Sequence, residues 1–236
     1  RLNVKRGLEK VDLQILGGEV FVPQDNVVPL GGAAKYFAKN EPAILRKLGV
    51  DAEIAILYNN LRQYAIDNGK KTLCGGAANA NYTILIVRWV PGETVGLYSP
   101  KMFRKGSIVV DEPLSGGNLY QDPTTKVNGY GMQYKGYLGM QLLNPKSVSG
   151  LFNVTAANKP TAMQVDDALA SARANKKNTF IYCHPKAMNI LAEVGKSAAF
   201  RMGSSDTDVN REIEKWNGVP IVTSYNFLEG TEANVA

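Results

Sequence analysis

The chain has 236 residues, of which 44% are hydrophobic and 20% charged, an ordinary balance for a protein with one domain or two small ones. No apolar run approaches the roughly 18 residues of a membrane-spanning helix, because Arg88 interrupts the most apolar window, Tyr82 to Val90. The net charge of +6 is spread over scattered basic pairs, which argues against sequence-specific DNA recognition and leaves weak contact with DNA open.

The first part of the chain predicts an extended segment. From Leu8 to Val22 apolar residues partly follow a period of two, which favours a strand over a helix. Gly17-Gly18 interrupts this pattern, which permits a bend or bulge. The mixed polar pattern also predicts that residues 1–18 pack poorly on their own subunit. The opening residues lack the apolar core of a signal peptide. Because the first residue is Arg1, we expect the sequence to begin partway into a longer protein.

A long helix is predicted from Pro42 to Asp67. Proline suits the first turn of a helix, and Asn68-Gly69 supplies a stop. At roughly 1.5 Å per residue this helix would be about 39 Å long. Its apolar residues recur near helical spacing, which an ordinary amphipathic core helix also shows. They are Ile44, Leu45, Leu48, Ala52, Ala55, Ile56, Leu61 and Ala65.

The segment from Thr72 to Val154 predicts successive antiparallel strands. Its β-branched and aromatic runs are separated by glycine-rich and proline-containing turns. After a boundary at Asn158-Lys159-Pro160, Thr161 is placed to cap a helix. The residues expected on one side of that helix are Met163, Val165, Leu169 and Ala172.

The last third of the chain predicts alternating strands and helices. Phe180 to Cys183 indicates a buried strand, and Pro185 begins a helix that carries Met188, Leu191 and Val194. The small polar residues between Lys196 and Arg211 predict a loop. A glycine turn then leads into an apolar strand that begins at Pro220 or forms a sheet edge.

Residues that could carry catalysis are sparse. His184 is the one histidine, and its neighbour Cys183 would point to the opposite face of a strand, so a helix-entry role is favoured over a catalytic pair. Cys74 and Cys183 lie far apart without a CxxC pattern, which predicts two reduced thiols and argues against zinc. No phosphate-binding glycine motif is completed. Carboxylate pairs leave a hard-cation site open, namely Asp111-Glu112, Asp166-Asp167 and Asp206/Asp208.

Four segments in a fixed order carry a further pattern. They are Tyr82–Trp89 continuing through Gly96–Lys101, Tyr134–Met140 with Asn144-Pro145 and Leu151–Val154, Phe180–Pro185 with Leu191, and Trp216–Phe227 followed by Thr231-Glu232-Ala233. Together they resemble the major capsid proteins of tailed bacteriophages, which have the Hong Kong phage (HK97-like) capsid fold. The resemblance covers most of the chain from about Tyr82 onward. It implies an α+β fold with a long spine helix, a peripheral β-rich domain, an axial α/β domain and an extended arm.

The resemblance also implies a division of the chain and two sets of contacts. Residues 1–28 would form the descending arm of an extended loop, 29–159 the peripheral domain, 160–225 the axial domain and 226–236 a C-terminal strand and tail. The polar loop would reach the centre of a capsomer, although a surface loop without a partner stays open. Candidate axial contacts are Arg201, Asp206, Asp208 and Arg211, and candidate arm contacts are Lys5, Arg6, Glu9 and Lys10.

The function implied by the resemblance is structural and not enzymatic. The protein would assemble through hexamers and pentamers into an icosahedral shell around phage double-stranded DNA, without catalytic residues, metal or cofactor. Its partners would be other copies of itself, scaffold, portal or decoration proteins, and packaged DNA through non-specific contact, with no membrane. It would be made in the host cytoplasm and reside in the virion capsid. Two alternatives stay open, an encapsulin-like cellular shell and an intracellular α/β enzyme with a carboxylate site.

Overall fold

The computed structural model describes residues 13–76, 79–99, 109–201 and 215–236, with only the backbone for 196–201. Helices and sheets are combined in a mixed α+β fold. Contacts divide the chain into two compact units, Arg1–Ala52 with Gly96–Met140 and Glu53–Val95 with Gln141–Ala236. Each unit is discontinuous in sequence, whereas the domain ranges that the resemblance implies, 1–28, 29–159, 160–225 and 226–236, are continuous. The assignment of those segments to named domains therefore stays a prediction.

The first unit contains most of a five-stranded sheet built on one long strand, β7 (Asn128–Leu142), with which β1, β5 and β6 pair antiparallel. The other strands of this sheet are β1 (Gln14–Pro23), β4 (Thr94–Tyr98), β5 (Val109–Pro113) and β6 (Tyr120–Gln121). Among the described strands β1 pairs only with β7, over its whole length from Gln14 opposite Leu138 to Pro23 opposite Gly129. It is therefore an edge strand of the described sheet.

The glycine pair in β1 does not interrupt the strand. The pairing with β7 continues through Gly17 and Gly18 without a shift of register, so the strand has no bulge there. A Cβ atom at Gly17 would overlap the carbonyl oxygen of Tyr134, whereas one at Gly18 would meet nothing within 4 Å. Gly17 thus permits a close approach of the two backbones. The described part of the predicted arm, up to Gly18, is extended and mostly exposed on its own chain.

A small apolar cluster follows this strand. Val22 from β1, Val27 from the short helix α1 (Gln24–Val27) and Phe37 are buried together. Val20, Tyr130 and Met132 are among the half-buried side chains that pack on them. Full burial of a side chain such as Val22, Val27 or Phe37 contributes about 1.5–3 kcal/mol.

The long helix begins earlier than the sequence predicts. Helix α2 spans Ala33–Ile54, continues as a π-helix over Ala55–Arg62 and ends as α3 (Gln63–Asp67). Pro42 therefore lies within α2 and not in a first turn. A proline there leaves the carbonyl of Ala38 without its N–H donor. Both residues are exposed, so water can satisfy that carbonyl.

The end of the long helix matches the sequence, and its buried side matches in part. The backbone N–H and the side-chain amide of Asn68 donate to the carbonyl of Tyr64 at 3.1 and 2.9 Å, and Gly69 has a φ of +64°. The predicted stop is therefore confirmed. The buried residues are Phe37, Leu48, Leu57, Leu61 and Ala65, of which Phe37 and Leu57 were not predicted.

The second unit is built on a six-stranded sheet with the order β10-β11-β9-β3-β8-β2. Its strands are β2 (Lys71–Leu73), β3 (Tyr82–Arg88), β8 (Val148–Val154), β9 (Thr179–Cys183), β10 (Lys215–Trp216) and β11 (Val219–Thr223). β3 runs antiparallel to β8 and β9, but β2 runs parallel to β8, so the prediction of antiparallel strands is wrong for β2. Ile84, Leu151 and Ile181 are fully buried in its core.

Two helices pack into the same core. Thr161 caps α4 (Ala162–Ser171), since its hydroxyl accepts from Gln164 N–H at 3.2 Å and its own N–H donates to the Gln164 side chain at 2.8 Å. This reciprocal pair confirms the predicted cap. Met163, predicted on the buried side, is 73% exposed, because it lies roughly 200° around the helix from Val165.

The final helix and hairpin complete the unit. α5 (Pro185–Arg201) begins at the predicted proline but continues through the segment predicted as a loop as far as Arg201. Residues 202–211 of that predicted loop lie outside the described residues. Asn217 and Gly218 have φ values of 47° and 81° and form the tight turn between β10 and β11. Pro220 lies near the start of β11, opposite Lys215 of the two-residue edge strand.

Candidate functional site

Polar contacts hold the C-terminal segment, residues 224–236, against the rest of the second unit. The side-chain amide of Asn226 donates to Glu53, and the backbone N–H of Leu228 donates to the hydroxyl of Tyr58 at 2.7 Å. Near the end, Val235 and the side chain of Asn153 exchange two hydrogen bonds of 2.9 and 2.7 Å. The segment is thus held at several points along its length.

Glu232 is the buried centre of this attachment and is only 2% exposed. Tyr58 donates to its Oε1 at 2.7 Å, Thr83 donates to its Oε2, and Arg62 Nε lies 3.6 Å from Oε2. Burial raises the pKa of Glu232, and the two hydroxyl donors and the Arg62 charge offset part of that rise. The Arg62 guanidinium also lies over the ring of Phe152 at 5.7 Å. This cluster anchors the C-terminal segment.

The π-helix supplies two of the groups that contact Glu232. Tyr58 and Arg62 both belong to the eight-residue segment Ala55–Arg62. Such π-helical geometry is rare and occurs often at functional sites. The resemblance singled out Thr231-Glu232-Ala233, but nothing local in the sequence identifies partners that lie 149 and 174 positions away.

His184 occupies the entry to helix α5. Its Nδ1 accepts from the backbone N–H of Lys186 at 3.1 Å, and its ring stacks on the ring of Tyr82 with the two ring centroids 5.7 Å apart. The ring edge also meets Tyr225 at 5.9 Å. Cys183 is buried in the core cluster of the sheet, where burial raises its pKa to about 12. A thiol with such a pKa is a poor nucleophile at neutral pH, and the geometry fits the predicted helix-entry role of His184.

The described residues lack both a cluster of metal ligands and a membrane-spanning helix. No group of three or more His, Cys, Asp or Glu residues there could hold a metal ion. Asp166, from one of the carboxylate pairs, instead accepts from Trp216 Nε1 at 2.8 Å and from the Asn217 amide at 2.7 Å. No helix in the same part of the chain is long and apolar enough to cross a membrane.

The predicted contact residues fall almost wholly outside the described residues. Arg201 is the last residue of α5, and its side chain is not described. The structure therefore does not test whether these residues meet. Those outside the described ranges are Lys5, Arg6, Glu9, Lys10, Asp206, Asp208 and Arg211.

The described surface nevertheless offers features suited to contact with another chain. The edge strand β1 carries Ile15, which is 67% exposed, and Tyr225 of the C-terminal segment is 84% exposed. An open strand edge and exposed apolar side chains are typical of surfaces that bind other chains. Composition alone did not single out either residue.

Comparisons with known proteins define the fold of the chain. No protein family matches the sequence, and neither does any curated protein. Among solved structures, the near-atomic-resolution cryo-EM structure of bacteriophage epsilon15 contains a chain of similar fold, with a TM-score of 0.59 and 14% sequence identity. The similarity covers 98% of this chain and 80% of that chain. The mixed fold with its long helix is thus shared with a bacteriophage protein, which confirms the sequence resemblance at the level of the fold.

Proposed function

We propose that the chain is the major capsid protein of a tailed bacteriophage with an HK97-like fold. Its function would be to assemble into an icosahedral shell that encloses double-stranded DNA. The observation that carries this proposal is the similarity of fold to a bacteriophage epsilon15 chain over 98% of the sequence. The four sequence segments that resemble tailed-phage capsid proteins support it independently.

Assembly would proceed through geometry and not through chemistry. In a ring, each subunit uses one surface to contact a different surface of the next, and such heterologous contacts close into hexamers and pentamers. The arm within residues 1–28 would lie over a neighbouring subunit, and the exposed edge of β1 supports this role. Residues 29–159 would form the peripheral domain and 160–225 the axial domain. Scaffold, portal or decoration proteins would be further partners of a shell made in the host cytoplasm.

The capsomer centre would be lined by the loop that follows α5. There Arg201 or Arg211 of one subunit would meet Asp206 or Asp208 of the next. Exposed ion pairs are individually weak, but a ring repeats them and fixes orientation. The double substitution Asp206→Lys and Asp208→Lys should therefore prevent capsomer formation while the subunit stays folded.

The matched control for this variant is Asp25→Lys with Asp167→Lys. Both control residues are exposed on helices, and the change in net charge is the same. Capsomer yield by size-exclusion chromatography should fall only for the loop variant. An equal loss in both variants would show that net charge, and not the loop, limits assembly.

The function itself is tested by expressing the chain and examining the product by size-exclusion chromatography and negative-stain electron microscopy. Closed shells that protect DNA from nuclease are the expected result. Shells filled with protein would favour the encapsulin-like alternative. A product that remains monomeric or dimeric at high concentration would contradict the proposal and favour the enzyme alternative.

A further inference from the structure

A cluster of exposed cations lies in the turn between α4 and β9. Arg173, Lys176 and Lys177 occur within five residues, and each is exposed. None of them forms an ion pair with a carboxylate in the described part of the chain. The described ion pairs hold other cations, namely Lys47, Arg62, Arg88, Lys159 and Lys186. Positive charge is therefore concentrated in this turn, and none of the carboxylates in the described ion pairs neutralises it.

The backbone of this turn is fixed by its own hydrogen bonds. Arg173 follows the C-terminal end of α4 with a φ of 49°, and the N–H of the next residue, Ala174, donates to the Leu169 carbonyl at 2.9 Å. Beyond it, the side-chain oxygen of Asn175 accepts from the N–H groups of Lys177 and Asn178 at 3.1 and 3.0 Å. A turn that is already ordered loses little conformational entropy when it binds a partner.

The β10-β11 hairpin supports the cluster from one side. The alkyl chain of Lys176 lies against Gly218, where an added Cβ would come within 2.8 Å of the lysine Cε. A cavity of about 260 Å³ beside the turn is lined by Arg173 and Lys176 and by one carboxylate, Asp166. Its Oδ1 already accepts hydrogen bonds from Trp216 and Asn217. The two cations thus face a carboxylate that is partly occupied by neutral donors.

The chemistry of these side chains fits phosphate. The planar guanidinium of arginine can donate two hydrogen bonds to one phosphate group, and lysine acts as a point charge. Duplex DNA presents one negative charge per about 1.7 Å of its axis, so adjacent phosphates can meet several cations of one turn. Contacts to phosphates position a protein on DNA and carry no sequence information.

We propose that the turn Arg173–Lys177 is a contact surface for the phosphate backbone of double-stranded DNA, independent of sequence. The inference rests on the proposed function, which supplies enclosed DNA as the partner. It goes beyond that function by assigning the contact to three named residues. It also predicts that net charge alone does not determine DNA binding.

The test compares two triple variants with the same net charge. The cluster variant carries Arg173→Gln, Lys176→Gln and Lys177→Gln. The control carries Lys39→Gln, Arg46→Gln and Lys146→Gln, three exposed cations at separate positions. Binding of the unassembled chain to a random-sequence DNA duplex is measured by fluorescence anisotropy at several salt concentrations. Matching urea unfolding curves establish that all three proteins are folded.

The slope of log affinity against log salt concentration decides the outcome. This slope is negative, and each lost phosphate contact reduces its magnitude by about 0.9. The magnitude should therefore fall by about 2–3 in the cluster variant and by less than about 1 in the control. Equal slopes for the two variants, or no binding by the wild-type chain, would overturn the inference. Electron microscopy separates this from the proposed function. DNA binding that depends on the cluster without any shells would refute only the shell, and shells with equal slopes would refute only the surface.

Discussion

The buried carboxylate of Glu232 offers the sharpest test of how the C-terminal segment is held. Substitution by alanine removes the acceptor of two hydroxyl groups, those of Tyr58 and Thr83. It also leaves Arg62, whose side chain is 17% exposed, without its carboxylate partner. We predict that Glu232→Ala strongly destabilises the second unit.

The magnitude follows from the groups left unpaired. Each buried donor that loses its acceptor costs about 1–3 kcal/mol. Removing one partner of a buried ion pair costs about 3–5 kcal/mol, a range that already includes such unpaired donors. The free energy of unfolding at pH 7 should therefore fall by about 3–5 kcal/mol.

Urea denaturation followed by tryptophan fluorescence measures this change. The two tryptophans of the chain, Trp89 and Trp216, both lie in the second unit and so report on its unfolding. The matched control is Glu229→Ala, because Glu229 lies in the same segment but pairs with Lys186 at an exposed site. Exposed pairs contribute little, so the control should unfold near the wild-type midpoint.

The result that would refute this reasoning is a similar midpoint for the two variants. It would mean that the hydrogen bonds around Glu232 contribute no more than an exposed ion pair. Hydrogen exchange would then show the C-terminal segment opening as readily in the wild-type chain as in Glu232→Ala.

Three further predictions rest on other parts of the structure. Gly17→Ala should destabilise the β1-β7 pairing by about 1–3 kcal/mol through overpacking, whereas Gly18→Ala should not. Hydrogen exchange of the β1 amides measures this, and equal protection of β1 in the two variants would contradict the prediction. Thr161→Ala should lower the free energy of unfolding in urea by about 1 kcal/mol, because it removes the cap of α4. The control is Met163→Ala at an exposed position of the same helix, which should change this free energy by no more than about 0.5 kcal/mol. The raised pKa of Glu232 means that the protonation-linked part of its contribution to stability is present below the ordinary value of 4.5 and is lost as the pH rises through the raised value, while its hydrogen bonds and its pairing with Arg62 still contribute at neutral pH. The stability gap between wild type and Glu232→Ala should thus narrow from acid toward neutral pH, and a gap that widens would contradict the assigned direction.

Local signals in the sequence predicted three helix ends correctly. The cap at Thr161, the stop at Asn68-Gly69 and the helix start at Pro185 depend on hydrogen bonds and backbone angles within a few residues. The predicted start of α2 at Pro42 is wrong, because the helix already begins at Ala33. An exposed carbonyl can lose its donor inside a helix when water replaces it.

Features that depend on distant parts of the chain could not be predicted in the same way. The close approach at Gly17 requires the register of β1 on β7, and the Glu232 anchor joins residues from three separate segments. The axial residues Asp206 and Asp208 came from the family resemblance, and their role stays a prediction. In the sequence, Lys176-Lys177 is one of several scattered basic pairs. Only the structure shows that Arg173 lies in the same ordered turn.

Cryo-electron microscopy of the assembled product tests the capsid assignment most directly. A symmetric reconstruction should show closed shells in which this fold occupies every subunit position, with residues 202–211 around the five-fold and local six-fold axes and DNA density inside. Particles without this lattice, or a chain that stays monomeric under assembly conditions, would contradict the assignment.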